Sequence, residues 1–319
     1  MNSKIQLLRG ISIISVVAIH TNTKGILSVI DRPFLNFSVA MFLFCSGYLT
    51  NLNVGEIGGF FKKRIIKVGI PYIIWSIIYT VSYQVLGIET GSIIGNILTG
   101  TACFTFYYIL LYIQFVLLTP IVAKILISKY RYLPLIVTPL YIILTRYFCT
   151  FVGYEVKFPF DKTCFLCWFI YYYIGMGLKN GCLIFKVENK KLGVIYVISL
   201  AVSICEGIIW YRHGNVDMGT TQLRLSSVLT SVVAVLIAYN FLESNVSINK
   251  TWASRGLVLI GNCSFGIYLA HIYVMGAILP LPRGIPTPFP ISTVIVLSIT
   301  TLCVLIGRKL LGKKFAQYL

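Results

Sequence analysis

The stretch MNSKIQLLRGISIISVVAIH, residues 1–20, has a charged residue, Lys4, near its start and carries two further ionisable residues, Arg9 and His20, in its apolar part. Eleven helical steps of about 100° place these side chains within roughly 20° of each other, about 16 Å apart along the axis. Ionisable residues inside a membrane-spanning helix are costly and usually functional. This pair is therefore the first candidate site for chemistry.

The composition indicates the class of protein. Of 319 residues, 57% are hydrophobic and 11% are charged, and the mean hydropathy is +0.86. Because a soluble domain is usually about a quarter charged, we predict an all-α, polytopic integral membrane protein. The net charge of +18 lies in short tracts between apolar runs. Such tracts are typical of membrane topology signals and do not indicate nucleic-acid binding.

Apolar runs of about twenty residues predict about ten transmembrane helices in a single membrane-embedded domain, residues 1–319. The runs lie near residues 5–22, 33–52, 68–87, 104–126, 132–148, 164–185, 192–211, 223–243, 257–279 and 291–311. Of the 27 Lys and Arg residues, 19 lie on the side that holds both termini and 8 on the other side. The positive-inside rule therefore predicts cytoplasmic termini and a multi-pass protein of the cell (plasma or inner) membrane.

Two histidines are candidates for buried bases. His20 should lie about 22 Å into the first helix, and His271 lies at a similar distance into the ninth, so we expect both at nearly the same depth and facing one cavity. A histidine there is suited to accept the proton of a sugar hydroxyl as a general base. The alternative, which the sequence leaves open above all for His271, is a histidine that hydrogen-bonds neighbouring helices.

A basic cluster lies on the predicted inner face, in GFFKKRIIKVGIPYIIW, residues 59–75. Its cations act first as a topology anchor, but Arg64 and, less strongly, Lys67 could also bind phosphate oxygens together with Arg9. No glycine-rich phosphate loop accompanies the cluster, so a nucleotide-hydrolysing pump is not indicated. Cys164 and Cys167 form a CxxC motif without a second pair, and we predict no metal site.

Five segments, in this order along the chain, resemble the acyltransferase-3 family of membrane proteins, whose members O-acylate surface glycans and related acceptors. They are LRGISIISVVAIH with Arg9 and His20, MFLFCSGYLT with Ser46, FFKKRIIKVGIPY with Arg64, WFIYYYIGMGL with Gly175 and Gly177, and SFGIYLAH with Tyr268 and His271. One departure is visible: many members carry Asp or Asn where this chain has Gln6. Glutamine has no negative charge with which to hold Arg9.

The resemblance implies a ten-helix core that takes its acyl group from acyl-CoA, by default acetyl-CoA, on the cytoplasmic side. The acyl-CoA would be a donor substrate and not a permanently bound cofactor, and the acceptor would be a surface polysaccharide or a lipid-linked sugar. His20 resembles the family's catalytic histidine. The resemblance places the following residues at the substrate or acyl-CoA: Arg9, Arg64, Lys67, Ser46, Tyr268 and His271.

These observations predict a membrane O-acyltransferase, by default an O-acetyltransferase. The rival is a transporter or flippase for polysaccharide or for small, amino-acid-like molecules, because a buried histidine would also serve proton coupling. The pairing of an inner basic cluster with one deep base favours the enzyme. A purely structural membrane subunit would leave the shared face of Arg9 and His20 without a reason.

Overall fold

A computed structural model describes residues 2–22, 24–53, 57–248, 251–278 and 288–310. Every regular element in this part of the chain is helical, and none of it forms a strand. The α-helices are α1 Ser3–Thr21, α2 Ile26–Leu35, α3 Phe37–Tyr48, α4 Ile57–Val85, α5 Ile93–Thr99, α6 Tyr107–Ile127, α7 Val137–Ile142, α8 Cys149–Phe151, α9 Phe169–Lys179, α10 Asn189–Arg212, α11 Val216–Thr220, α12 Leu225–Glu243, α13 Trp252–Ile278 and α14 Ile291–Leu310.

Nine stretches of the described residues are long and apolar enough to cross a membrane. They are Ser3–Thr21, Ile26–Tyr48, Gly58–Val85, Tyr107–Ile127, Leu133–Phe151, Asn189–Arg212, Val216–Glu243, Trp252–Ala277 and Ile291–Leu310. The prediction of an all-α, multi-pass membrane protein is therefore confirmed.

Two of these stretches are not continuous α-helices. The second begins at Ile26, earlier than the predicted residue 33, and consists of α2 and α3 joined at Asn36. The fifth contains a 3-10 turn, the short helices α7 and α8, and a π-helical turn at Ile143–Phe148. Pro134 and Pro139 lie in its first half, where each removes a backbone hydrogen-bond donor.

The predicted span near residues 164–185 is much shorter in the structure. A 3-10 turn, Phe165–Cys167, is followed by α9, which has 11 residues and a length of about 16 Å, against about 30 Å for a bilayer core. All its residues from Phe169 to Leu178 are buried. The predicted length was wrong because a helix enclosed by other helices does not have to match the lipid thickness.

Close packing of α1 on α13 determines the position of both histidines. A Cβ on Gly10 would overlap the Leu257 carbonyl oxygen, and a Cβ on Gly261 would overlap the Gln6 carbonyl oxygen. The two backbones touch here because neither glycine has a side chain. Farther along both helices the rings of His20 and His271 meet, so α1 and α13 run parallel.

A pair of glycines also allows the backbones of α3 and α9 to come into contact. A Cβ on Gly47 would overlap the Tyr172 carbonyl oxygen, and a Cβ on Gly175 would overlap that of Phe44. Asn180, just after α9, donates to the carbonyl oxygen of Thr50 at 3.0 Å. Both helices therefore run in the same direction, and α9 carries the chain from one end of the bundle towards the other despite its length.

The last described helix returns to the end of the bundle at which α1 begins. Near the end of α14, Arg308 donates to the carbonyl oxygen of Asn262 at 2.9 Å, next to the Gly261 contact with α1. The beginning of α1 and the end of α14 thus lie on the same side. That this side is cytoplasmic stays a prediction from the distribution of charge.

Candidate functional site

His20 lies in the last turn of α1 and lines a cavity of about 320 Å³, which we call the His20 cavity. Its ring meets the edge of Phe104, with 5.1 Å between the ring centroids. The cavity is also lined by Thr105 and by Thr221, from the connections that precede α6 and α12. These connections belong to the predicted outer face.

His271 lies beside His20, with 5.4 Å between the two ring centroids. The ring of His271 is fully buried, and its Nδ1 lies 2.8 Å from the carbonyl oxygen of Tyr268 and 3.1 Å from that of Ile267. Because a carbonyl oxygen only accepts, Nδ1 carries the proton and Nε2 is an acceptor. That Nε2 has no hydrogen-bond partner among the described residues.

Aromatic rings form much of the cavity wall. Tyr107 and Trp168 are stacked at 6.3 Å, and the Tyr108 and Tyr268 rings meet at 5.6 Å. The Tyr268 hydroxyl donates to the carbonyl oxygen of Thr105, which joins α13 to the start of α6. Apolar walls with a few directed polar groups are typical of small-molecule sites.

Gln222 adds a second acceptor to the cavity lining. Its side-chain oxygen is buried and has no hydrogen-bond partner within the described part of the chain. Buried polar groups are normally paired. Two acceptors near His20 are therefore unpaired among the described residues: the Gln222 oxygen, which belongs to a cavity-lining residue, and the buried Nε2 of His271 next to the His20 ring.

Three cations line the same cavity: Arg32, Arg146 and Lys162. Arg32 donates to the carbonyl oxygens of Ile19 at 3.1 Å and Thr220 at 3.3 Å, which holds it against the end of α1.

Lys162 lies in the loop before α9, with its ammonium group 5.0 Å from the centroid of the Tyr107 ring. Burial and, to a smaller degree, the charge of Arg146 lower the pKa of Lys162, whereas Asp161 acts in the opposite direction.

A second basic group lies at the opposite end of the bundle. Arg64 of α4 donates to the Thr50 hydroxyl at 2.8 Å and to the Leu49 carbonyl oxygen at 3.2 Å. Its guanidinium group also lies 4.7 Å from the centroid of the Phe60 ring. These contacts hold a planar cation at the end of α3.

Tyr112 of α6 connects this basic group with other predicted site residues. Its hydroxyl group lies near the side chain of Ser46, and both Arg9 and Arg64 lie close enough to act on it electrostatically. Arg9 also acts on Tyr108, which is one helical turn away on α6 and lines the His20 cavity. A row of polar groups thus extends from Arg64 to the His20 cavity.

The structure brings most of the predicted site residues into these two regions. His20, His271 and Tyr268 meet at one end, and Arg9, Arg64 and Ser46 lie around Tyr112. The exception is Lys67, which lies on the exposed side of α4.

Gln6 does not hold Arg9. Its side chain is buried, and neither its Nε2 nor its Oε1 has a hydrogen-bond partner among the described residues.

Sequence reasoning missed the cations of the His20 cavity. Arg32, Arg146 and Lys162 were counted only as three of the charges on the predicted outer face. They belong to three separate segments, so no periodicity relates them. The one available signal was the aromatic residue close to each of them in sequence, at Phe34, Tyr147 and Phe160.

The sequence was compared with models of known protein families, with curated proteins and with solved structures. The family model described as an acyltransferase domain, of the acyltransferase-3 type, matches residues 2–308. No curated protein and no solved structure matches the chain. The match covers almost the whole chain, including both histidines and both arginines of the site, and it confirms the resemblance based on the five segments. The chain therefore belongs to the acyltransferase-3 family and is a multi-pass membrane acyltransferase.

Proposed function

We propose that this protein is an O-acetyltransferase that moves an acetyl group from acetyl-CoA, on the cytoplasmic side, to a hydroxyl group of a cell-surface polysaccharide or lipid-linked sugar. The observation that carries the proposal is the position of His20. A histidine is presented to a cavity at one end of the bundle, while two arginines lie at the other end. A donor with phosphates at one end and a thioester at the other matches this separation.

Arg64 and Arg9 are the groups that would hold the donor's phosphates. Arginine binds phosphate oxygens through paired hydrogen bonds, and the contacts of Arg64 with Thr50 and Leu49 already orient its planar group. Ser46 and Tyr112 continue the polar row inwards. The long thioester arm of the donor would follow this row towards His20.

His20 would act as the general base. The acceptor hydroxyl oxygen attacks the thioester carbonyl carbon, a carbon–oxygen bond forms, and the carbon–sulfur bond breaks. The hydroxyl proton passes to His20, and His20 returns it to the departing thiolate, so that CoA leaves as the free thiol. Such a base contributes on the order of 10²–10⁴-fold to the rate.

His271 would position the acceptor. Its Nδ1 is bound to the backbone of α13, so its free Nε2 is available to accept a hydrogen bond beside His20. Because the two rings are adjacent, a hydroxyl group bound to His271 would lie next to the base. His271 is therefore proposed as a positioning residue and His20 as the catalytic one.

Mass spectrometry of the surface glycan tests this proposal in cells. Glycan from cells that contain the wild-type protein should carry the mass increment of an acetyl group, and glycan from cells that contain His20→Ala should lack it. The His213→Ala variant is the matched control, because His213 is exposed in the loop after α10. Acetylation that persists in the His20→Ala strain, at equal protein abundance, would refute the proposal.

A further inference from the structure

The His20 cavity carries more positive charge than general base catalysis requires. Arg32, Arg146 and Lys162 line it, and no acidic side chain belongs to the lining among the described residues. In that part of the chain, neither Arg146 nor Lys162 has a carboxylate oxygen within 4.0 Å. Arg146 and Lys162 are half-buried, and an anion bound between them would be stabilised by both charges.

Asp161 is an acidic residue whose charge acts on one member of this group. Its carboxylate accepts a hydrogen bond from the Thr163 amide at 2.9 Å, and its charge also reaches Lys162. The single negative charge of Asp161 offsets one of the three positive charges that line the cavity. The cavity therefore keeps a net positive charge next to the proposed base.

The remaining lining suits a sugar ring. The cavity is lined by further aromatic rings besides the stacked pair of Tyr107 and Trp168, including Phe104 and Tyr108, and aromatic rings pack against the apolar C–H groups of pyranose rings. The buried side-chain oxygen of Gln222 offers an acceptor for a sugar hydroxyl. Aromatic walls, a free acceptor and unpaired cations in one cavity together describe a ligand that is both a sugar and an anion.

We propose that the His20 cavity binds an anionic glycan, with its negative group held between Arg146 and Lys162. A carboxylate of an acidic sugar and a phosphate attached to a sugar have the same oxyanion chemistry, and either would satisfy these two side chains. The inference rests on the proposed function, because the hydroxyl group that is acylated would belong to the same glycan. It adds that the acceptor is selected by its charge.

The test is a binding measurement on the purified full-length protein in detergent, by calorimetry. The first probes are a hexasaccharide of alternating glucose and glucuronic acid and its carboxyl-reduced, uncharged form. The second pair is glucose 1-phosphate and glucose, which tests a sugar phosphate as the source of the charge. We expect the charged member of at least one pair to bind at least tenfold more tightly than its uncharged counterpart.

Matched variants locate the effect. In Lys162→Gln and Arg146→Gln the preference for the charged probe should fall at least tenfold. In Lys157→Gln and Arg212→Gln, which change an exposed cation of the loop before α9 and one at the end of α10, it should stay as in the wild-type protein. Equal affinity within both pairs, or a preference that survives in Lys162→Gln and Arg146→Gln, would overturn the inference.

A third probe separates the acceptor from the donor. CoA should bind the Lys162→Gln and Arg146→Gln variants as tightly as the wild-type protein, and a loss of CoA affinity would show that the cavity holds the donor's phosphates instead. None of these measurements requires acyl transfer. A protein that binds charged glycan selectively but transfers no acetyl group would contradict the proposed function alone, and one that acetylates both hexasaccharides equally would contradict the inference alone.

Discussion

At the scale of single residues, the two histidines have different surroundings. His20 lines the cavity, whereas His271 is fully buried and is tied by Nδ1 to the backbone of its own helix. A ring held in this way has a fixed orientation and a fixed acceptor. The geometry suits proton transfer at His20 and hydrogen bonding at His271.

Substitution of His271 should separate these two roles. His271→Asn retains a donor for the Tyr268 carbonyl oxygen but loses the acceptor at the Nε2 position, so kcat should fall on the order of tenfold, the value of about one hydrogen bond. His271→Gln can place an oxygen near that position and should recover part of the rate. The KM for acetyl-CoA should not change in either variant.

Steady-state kinetics with a pH profile measure this prediction. Because His20 remains in place, the pH dependence of kcat should keep its shape in both His271 variants. A flattened profile would make His271 itself the titrating base, and wild-type kcat in His271→Asn would show that its free Nε2 contributes nothing.

At the scale of elements, the site depends on how closely α1 and α13 approach each other. Gly10 and Gly261 let the two backbones touch, and from that contact the parallel helices carry His20 and His271 to the same level. The two rings adjoin only if both helices keep this register. The glycines therefore act on the site from a distance of several turns.

Gly261→Ala should destabilise the protein by about 1–3 kcal/mol, because the new methyl group would overlap the backbone of α1. The matched control is Gly256→Ala on the same helix, where a Cβ would meet nothing within 4 Å. Thermal unfolding in detergent measures both variants, and acetyl transfer should fall with stability only in Gly261→Ala. Equal unfolding temperatures for the two variants would argue against close packing at Gly261.

The sequence predicted the common depth of His20 and His271 correctly, but it did not predict the length of α9. Counting helices and multiplying by the rise per residue placed His20 and His271 at one depth, because parallel helices of similar length preserve depth. An apolar run does not reveal whether it faces lipid or protein, so the shortness of α9 was not predictable. The cations of the His20 cavity come from separate segments, and only the folded chain brings them together.

At the scale of the whole molecule, the two basic groups lie at opposite ends of the bundle. Arg64 and Arg9 lie around Tyr112, and the cations of the His20 cavity lie at the far end of α1. In the proposed function, the donor binds at the first of these ends and the acceptor at the second. Each end should then control the binding of its own substrate.

Arg64→Gln should raise the KM for acetyl-CoA about tenfold or more, because a charged hydrogen bond to phosphate contributes roughly 1.5–3 kcal/mol. The KM for the acceptor glycan should be unchanged. Arg131→Gln, an exposed arginine on a predicted inner loop, is the control and should leave both constants unchanged. If Arg64→Gln instead raised only the KM for the acceptor glycan, the donor and acceptor ends would have to be exchanged.

The central claim is that His20 drives acyl transfer from CoA to a glycan hydroxyl group. Its most direct test adds acetyl-CoA, labelled in the acetyl group, and the surface glycan to purified protein in lipid vesicles. The wild-type protein and His213→Ala should move the label into the glycan, and His20→Ala should lose about 10²-fold or more of that rate. Label transfer by His20→Ala at the wild-type rate, or glycan that crosses the vesicle membrane without becoming labelled, would contradict the account.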